Sequence, residues 1–203
     1  MSALDFSDVT PAAICAFHDA DLERDPRSPA AVDASSSVWG WIEANHRCNR
    51  LLWDEEDQAR RRDVPDAAIA ANKRAIDGYN QRRNDAIEKI DEALLDRLAD
   101  VSPAADAWHN SETAGSMVDR LSIVSLKIFR MRAEATRADA TEDHRAACRE
   151  KLARLELQRR DLAQCFGTLL ASAADGRAFW RVYRQFKMYN DAKLNPYLYG
   201  GKR

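Results

Sequence analysis

The spacing of apolar and polar positions predicts a chain of helices separated by short breaks. Thr10-Pro11 is typical of a helix start, and a short first helix is expected to reach about Leu22. A loop with two prolines and three consecutive serines should cover 25–37. Four long helices are then predicted over about 38–62, 65–99, 111–135 and 139–175. A short aromatic helix and a tail should follow Gly176.

The predicted fold is all-α, a bundle of four long helices with shorter helices at each end. A length of 203 residues suits one domain. No proline lies between Pro65 and Pro103 or between Pro103 and Pro196, and long stretches without helix breakers favour long helices. The single domain 1–203 should comprise a variable N-terminal helix and loop (1–37), the bundle (38–175) and an aromatic C-terminal cap (176–203).

The fourth helix is apolar on nearly every side, which predicts that it is the most buried. Ile123 and Leu126 are expected to lie away from solvent for this reason. The same helix carries Asp119, and an unpaired buried carboxylate is strongly disfavoured, so Asp119 should be paired with a cation. The expected partners are Arg120, Lys127 or Arg130 of the same helix, or an arginine of a neighbouring helix.

Amide and carboxylate side chains recur on helix faces that should point inward. At 100° per residue, Asn45, Asn49 and Glu56 share one narrow face of the second helix, with His46 at its edge. Buried polar groups are costly unless paired, so such stripes predict a shared polar site inside the bundle. The candidate residues of this site are Asn45, His46, Asn49, Glu56, Asn80, Asn84, Glu88, Glu112, Asp119 and Arg120. Structural networks or solvated faces are the alternative interpretation, and no residue is assigned a catalytic role.

Composition narrows the classes of partner. Thirty-one basic and 33 acidic residues give a formal net charge of −2, which argues against a nucleic-acid or membrane surface. No apolar run approaches the length of a membrane span, and the first residues lack the pattern of a signal peptide. The four cysteines are scattered without a CxxC pair, so free thiols in the cytoplasm are expected.

Three motifs and a tail together resemble a bacterial family of uncharacterised proteins, the domain of unknown function 4254 (DUF4254) family. They read NHRCNRLLWDEEDQAR, KRAIDGYNQRRNDAIEKID, ETAGSMVDRLSI and, in the tail, YNDAKLNPYLY. The resemblance covers most of the chain, from about Val38 to the end. It implies a cytoplasmic protein of about this length, of a kind often encoded beside glycosyltransferases in surface-polysaccharide loci, and it implies no mechanism.

A weaker similarity connects the chain with the all-helical nucleotide pyrophosphohydrolases. Those enzymes hold Mg²⁺ with a Glu-Glu-x-x-Glu stretch followed by Glu-x-x-Asp. Glu88-Lys-Ile-Asp91 matches the second element, whereas Asp54 to Asp57 only approximates the first because position 59 is alanine. The similarity implies a possible Mg²⁺ site, for which the candidate ligands are Glu56, Glu88, Asp91 and Asp119.

Two classes of function therefore stay open at the level of sequence. One is an accessory or ligand-binding protein of surface-glycan biosynthesis, with an unknown small ligand or a glycan-pathway protein as partner. The alternative is a Mg²⁺-dependent hydrolase or transferase acting on a nucleotide or sugar nucleotide. The chain has no glycine-rich phosphate loop and no nucleophile motif, so the first class is favoured. The oligomeric state is not readable from the sequence.

Overall fold

The computed structural model describes residues 6–24, 37–184, 188 and 191–197. The helices are α1 (Pro11–Leu22), α2 (Val38–Gln58), α3 (Asp66–Arg97), α4 (Ala114–Thr136) and α5 (Glu142–Ala174). Two strands of two residues each, β1 (Trp108–His109) and β2 (Ala178–Phe179), pair in parallel. The all-α prediction, with four long helices after a short first one, is confirmed. Most of the loop predicted over 25–37, and the end of the tail, lie outside the described residues.

Side-chain caps explain where the helices begin. The hydroxyl groups of Thr10, Ser37, Thr113 and Thr141 each accept a hydrogen bond from a backbone N–H three residues ahead. Each cap satisfies one of the N–H groups that a helix start leaves without an internal partner. Because Thr113 caps α4, this helix begins three residues later than predicted. Helix α2 also differs from the prediction, since it ends at Gln58 instead of Arg62.

Helix α4 lies at the centre of the bundle and contacts each of the other four described helices. Its Val118, Leu121 and Ile128 side chains are fully buried, Leu126 is 3% exposed and Ile123 is half-buried. The prediction that this helix is the most buried is confirmed. No described helix carries an apolar stretch long enough to span a bilayer.

The predicted aromatic helix after Gly176 is wrong for the described residues 177–184. Gly176 takes a left-handed conformation with φ of 70°, which turns the chain sharply out of α5. The backbone then bonds to the loop before α4, where Trp108 N donates to Arg177 O and Asn110 N donates to Phe179 O. Trp180 is buried against the core. Inter-segment hydrogen bonds thus replace those that a helix would have formed.

Candidate functional site

Two asparagines of α2 and two residues of α4 form a buried cluster, which we call the Asn–Asp cluster: Asn45, Asn49, Asp119 and Ser122. Asn45 Nδ2 and Asn49 Nδ2 each donate to Asp119 Oδ1 at 2.9 Å. Asn49 Nδ2 also lies 3.0 Å from Ser122 Oγ and 3.4 Å from Asn45 Oδ1. An amide has two hydrogens for these three acceptors, so the longest contact is the weakest.

Helix periodicity brings these four side chains together. Asn45 and Asn49 are four residues apart and stand one above the other on α2, while Asp119 and Ser122 are three apart on α4. The two pairs meet where α2 packs on α4. Every buried nitrogen and oxygen atom of these four side chains has a hydrogen-bond partner, since none is among the unpaired atoms of the described residues.

The cation nearest to Asp119 comes from a neighbouring helix. Arg83 of α3 places Nε 3.7 Å from Asp119 Oδ1. The predicted partners within α4 lie elsewhere: Arg120 pairs with Glu112 at 2.6 Å, Arg130 pairs with Asp54 at 2.9 Å, and Lys127 is exposed. Residues 119 and 120 point about 100° apart on a helix, so Arg120 faces solvent while Asp119 faces the core. Of the predicted partners, only the neighbouring-helix arginine is found.

Two stacked imidazoles extend the cluster toward α1, and we call them the His pair: His18 and His46. Their ring centroids are 4.4 Å apart with an interplanar angle of 21°. His46 Nδ1 lies 2.7 Å from Ser122 Oγ, and its Nε2 lies 3.7 Å from Asp21 Oδ2. Both ring nitrogens of His18 lack a hydrogen-bond partner.

Burial keeps the His pair neutral. It lowers the pKa of His46 to about 4, although the nearby Asp21 carboxylate opposes the shift. Burial also lowers the pKa of His18 well below its usual value, and the facing His46 adds to this effect. Removing water disfavours the charged imidazolium, and each ring would repel a charge on the other.

Two partly buried ion pairs carry the polar contacts on to α1 and α5. Arg50 Nη1 of α2 lies 2.5 Å from Asp21 Oδ2 and 2.6 Å from the Asp21 carbonyl oxygen. Arg159 Nη1 of α5 lies 2.5 Å from Asp19 Oδ1 and 3.3 Å from Ser125 Oγ. Polar side chains therefore connect all five helices when Arg83 of α3 is included.

Asp91 forms a separate polar contact at the start of α4. This carboxyl group is 1% exposed, and its Oδ1 accepts a hydrogen bond from Gly115 N at 2.7 Å. Burial raises the pKa of Asp91 to about 6, and hydrogen bonds from the Thr113 hydroxyl and the Gly115 N–H only partly offset that rise. Asp91 thus accepts a hydrogen bond from an N–H group in the first turn of α4 that has no partner within the helix. It also lies at the positive end of the α4 dipole, where a carboxylate is favoured.

The four predicted metal ligands have four different sets of partners. The Glu56 side chain is 47% exposed and pairs with Arg60 at 3.1 Å. Glu88 lies 3.4 Å from Arg184. Asp91 caps α4, and Asp119 belongs to the Asn–Asp cluster. Within the described part of the chain, no group of three or more His, Cys, Asp or Glu side chains is arranged to hold a metal ion. The geometry does not bring these four carboxylates together.

The other candidates divide between the cluster and the surface. Asn45, His46, Asn49 and Asp119 come together as described, whereas Glu112 pairs with the exposed Arg120. Asn80 and Asn84 are half-buried on α3. Three participants were not among the candidates: Ser122, His18 and Arg83. The spacing of Ser122 from Asp119 could have identified it, but no local signal marks His18, because its position depends on how α1 docks.

Residues 39–182 match the sequence profile of a family described as protein of unknown function DUF4254. The chain belongs to the DUF4254 family. No curated protein and no solved structure shows significant similarity to this DUF4254 protein. The matched region includes the whole Asn–Asp cluster and Asp91, but helix α1, with His18 and Asp21, lies outside it.

Proposed function

We propose that this DUF4254 protein is an accessory or ligand-binding protein of bacterial surface-glycan biosynthesis that acts in the cytoplasm without catalysing a reaction. In this proposal the Asn–Asp cluster is an internal brace, and binding takes place on the outside of the bundle. The observation that carries it is the closure of the cluster: Asn45 is fully buried, and all buried polar atoms of the four side chains are paired.

A closed and fully paired network suits a structural role. A catalytic acid, base or nucleophile must reach the substrate, which requires an accessible group with a free position for a ligand. In the Asn–Asp cluster a ligand would have to break the bonds that Asp119 accepts from Asn45 and Asn49. Buried polar networks of this kind instead favour one arrangement of helices over competing ones.

The setting of the proposal comes from the sequence motifs. NHRCNRLLWDEEDQAR and the two following motifs resemble proteins encoded beside glycosyltransferases, which supports a role near glycan synthesis. All four cysteines are free thiols, as is usual in a reducing compartment. A small ligand or a protein of the same pathway is the proposed partner.

The alternative, a Mg²⁺-dependent hydrolase or transferase, has one feature in its favour. Asp91 has a pKa raised to about 6, and perturbed carboxyl groups concentrate at active sites. The cause of the shift is burial beneath the start of α4, where Gly115 N donates a hydrogen bond to one carboxylate oxygen. Structural contacts therefore account for the shifted pKa, and the non-catalytic proposal is preferred.

A metal titration separates the two functions. The melting temperature is measured with and without Mg²⁺ or Mn²⁺, and turnover of nucleotides and sugar nucleotides is followed in the same buffers. We expect no metal-dependent rise and no turnover, because a ligand stabilises only a protein that binds it. A metal-dependent rise that is lost in Glu88→Gln, together with turnover, would overturn the proposal. Glu92→Gln is the matched control, because Glu92 also contacts Arg184 but is not among the predicted metal ligands.

A further inference from the structure

A groove on the outside of the bundle lies between α4 and α5, with one side chain from α2 at its floor. Its volume of about 430 Å³ falls within the range of small-molecule sites. The lining residues are Trp53, Lys127, Arg130, Met131, Glu134, Lys151, Arg154, Leu155 and Gln158. None of them belongs to the Asn–Asp cluster or the His pair, so the groove is a second and separate feature.

The groove combines an apolar floor with a basic rim. Trp53, Met131 and Leu155 are half-buried, and they present an aromatic ring and two flexible apolar side chains. The rim carries four exposed cations and one half-buried acid. A flat ring can stack on tryptophan, and the surrounding cations can attract an anionic group attached to that ring.

Three of the four rim cations have no carboxylate partner. Arg130 pairs with Asp54 at 2.9 Å, but Lys127, Lys151 and Arg154 form no ion pair with any described residue. The one acid, Glu134, is already occupied by Arg137 at 2.9 Å and His144 at 3.0 Å. In a chain with a formal net charge of −2, the groove is therefore a local site of unneutralised positive charge.

The arrangement differs from an ordinary solvated helix face. Nearer the start of α5, Arg145 and Arg149 both pair with Glu142. At the groove, by contrast, cations from two helices converge above an aromatic floor supplied by a third. Convergence of this kind concentrates charge where one ligand can contact several cations at once.

We propose that the groove binds a nucleoside diphosphate or a ligand that contains one. The base stacks against Trp53, and the phosphates lie among Lys127, Lys151 and Arg154. This inference rests on the ligand-binding form of the proposed function and names its ligand class. It needs no metal and no chemical step, because lysine and arginine bind phosphate oxygens directly.

Calorimetric titration of the full chain tests both halves of the site. The probes are adenosine diphosphate, adenosine and pyrophosphate, which present ring plus phosphates, ring alone and phosphates alone. We expect adenosine diphosphate to bind at least about tenfold more tightly than either fragment, because only it engages floor and rim together. The affinity should fall as salt is raised, since the rim contacts are exposed.

Variants then assign the binding to the groove. Lys151→Glu and Arg154→Glu should each weaken binding of adenosine diphosphate by about tenfold or more, through reversal of a rim charge. Trp53→Leu should weaken adenosine diphosphate but leave pyrophosphate unchanged, because it removes only the stacking surface. Arg74→Glu is the matched control: Arg74 is also an exposed helical cation, but it does not line the groove. Melting temperatures establish that each variant is folded.

The outcomes are distinct. Absence of adenosine diphosphate binding, equal binding of pyrophosphate, or an equal loss in Arg74→Glu and Lys151→Glu would each overturn the groove proposal. If adenosine diphosphate does not bind in the groove, the proposed accessory role can still be carried out through a protein partner. If adenosine diphosphate binds at the groove and is also hydrolysed, the groove proposal stands and the non-catalytic function fails.

Discussion

Asp119 illustrates how a carboxylate can be tolerated inside an apolar helix. Two amide groups from α2 donate to the same oxygen, and Arg83 supplies a positive charge at 3.7 Å. Amides provide hydrogen bonds without a second buried charge that would itself need neutralising. Asn45 and Asn49 therefore both depend on Asp119, whose loss would remove the acceptor that the two amides share.

The first prediction follows from this dependence. Asp119→Ala should lower the free energy of unfolding by about 3 kcal/mol, because it removes the acceptor that two buried amides share and the negative charge that lies 3.7 Å from Arg83. Urea denaturation measures the change through a lower midpoint at unchanged slope. Asp54→Ala is the control, since the exposed pair of Asp54 with Arg130 should contribute no more than about 1 kcal/mol. Equal losses in the two variants would show that the cluster contributes no more than a surface pair.

Asp91 gives a prediction about pH. Its pKa is about 6 in the folded protein, above the ordinary value of 3.8, so folding favours the protonated form. The stability that the protonated carboxyl group contributes is fully present below pH 3.8 and is lost as pH rises through about 6. Asp91→Asn can still accept from Gly115 N but cannot ionise. Relative to wild type, the variant should therefore gain on the order of 1–3 kcal/mol between pH 4 and pH 7.5.

Urea unfolding of both proteins at several pH values measures this difference. The comparison with wild type cancels the titration of other groups, including the His pair. A stability difference that stays constant from pH 4 to pH 7.5 would mean that Asp91 has an ordinary pKa. It would then act as a simple helix cap with no cost of ionisation.

Residue-level geometry could be predicted only where a helix face determined it. Asn45, Asn49 and Asp119 were identified because each lies on a face that packing buries. Glu112 was also a candidate, but it precedes the helix start at Ala114, so helical spacing does not place its side chain. Glu56 lies in the last turn of α2, where its side chain is 47% exposed and pairs with Arg60.

At the scale of helices, Gly115 determines how closely α3 and α4 approach. A Cβ atom at this position would lie 2.4 Å from the Ile87 carbonyl oxygen and 2.9 Å from Asp91 Oδ2. Its absence lets the first turn of α4 rest directly on the α3 backbone, so that Gly115 N reaches Asp91 Oδ1. A glycine in the first turn of a helix therefore has a packing reason here.

Gly115→Ala should separate the two helices and lower the free energy of unfolding by about 2 kcal/mol or more, the range for overpacking a closed contact. Gly78→Ala is the matched control, because Gly78 lies within α3 and nothing surrounds its Cβ position within 4 Å. That substitution should raise stability by about 0.5–1 kcal/mol through helix propensity. Thermal or urea unfolding of both variants measures the contrast, and similar effects at the two glycines would contradict the close approach.

Helices could be predicted better than the segment after α5. Apolar periodicity and threonine caps are local signals, so α1 and α5 were predicted within a few residues. Aromatic residues at helical spacing suggested another helix after Gly176, but the backbone there pairs with residues 104–110, far away in sequence. Such long-range hydrogen bonds leave no trace in local periodicity.

At the scale of the whole molecule, α1 is a cover over the polar interior. It lies outside the family match, yet its Asp21 and Asp19 pair with Arg50 of α2 and Arg159 of α5. His18 on the same helix stacks on His46 and helps to exclude water from it. The unusual pKa of His46 is therefore a property of the assembled bundle rather than of α2 alone.

Removal of this cover provides the last prediction. A chain that begins at residue 37 lacks α1, so water reaches His46 and the main cause of its lowered pKa disappears. The pKa of His46, about 4 in the full chain, should rise toward the ordinary 6.5, as followed by the NMR shift of its Cε1 proton. In the full chain, the preference for a neutral His46 contributes to the free energy of unfolding; this contribution is fully present above pH 6.5 and is lost as pH falls through about 4. The shortened chain should lose less stability over the same pH interval. His18→Leu in the full chain is the control, because it removes the facing ring but keeps the cover, and the pKa of His46 should stay below 6.5. A pKa near 4 in the shortened chain would show that α2 and α4 bury His46 without help from α1.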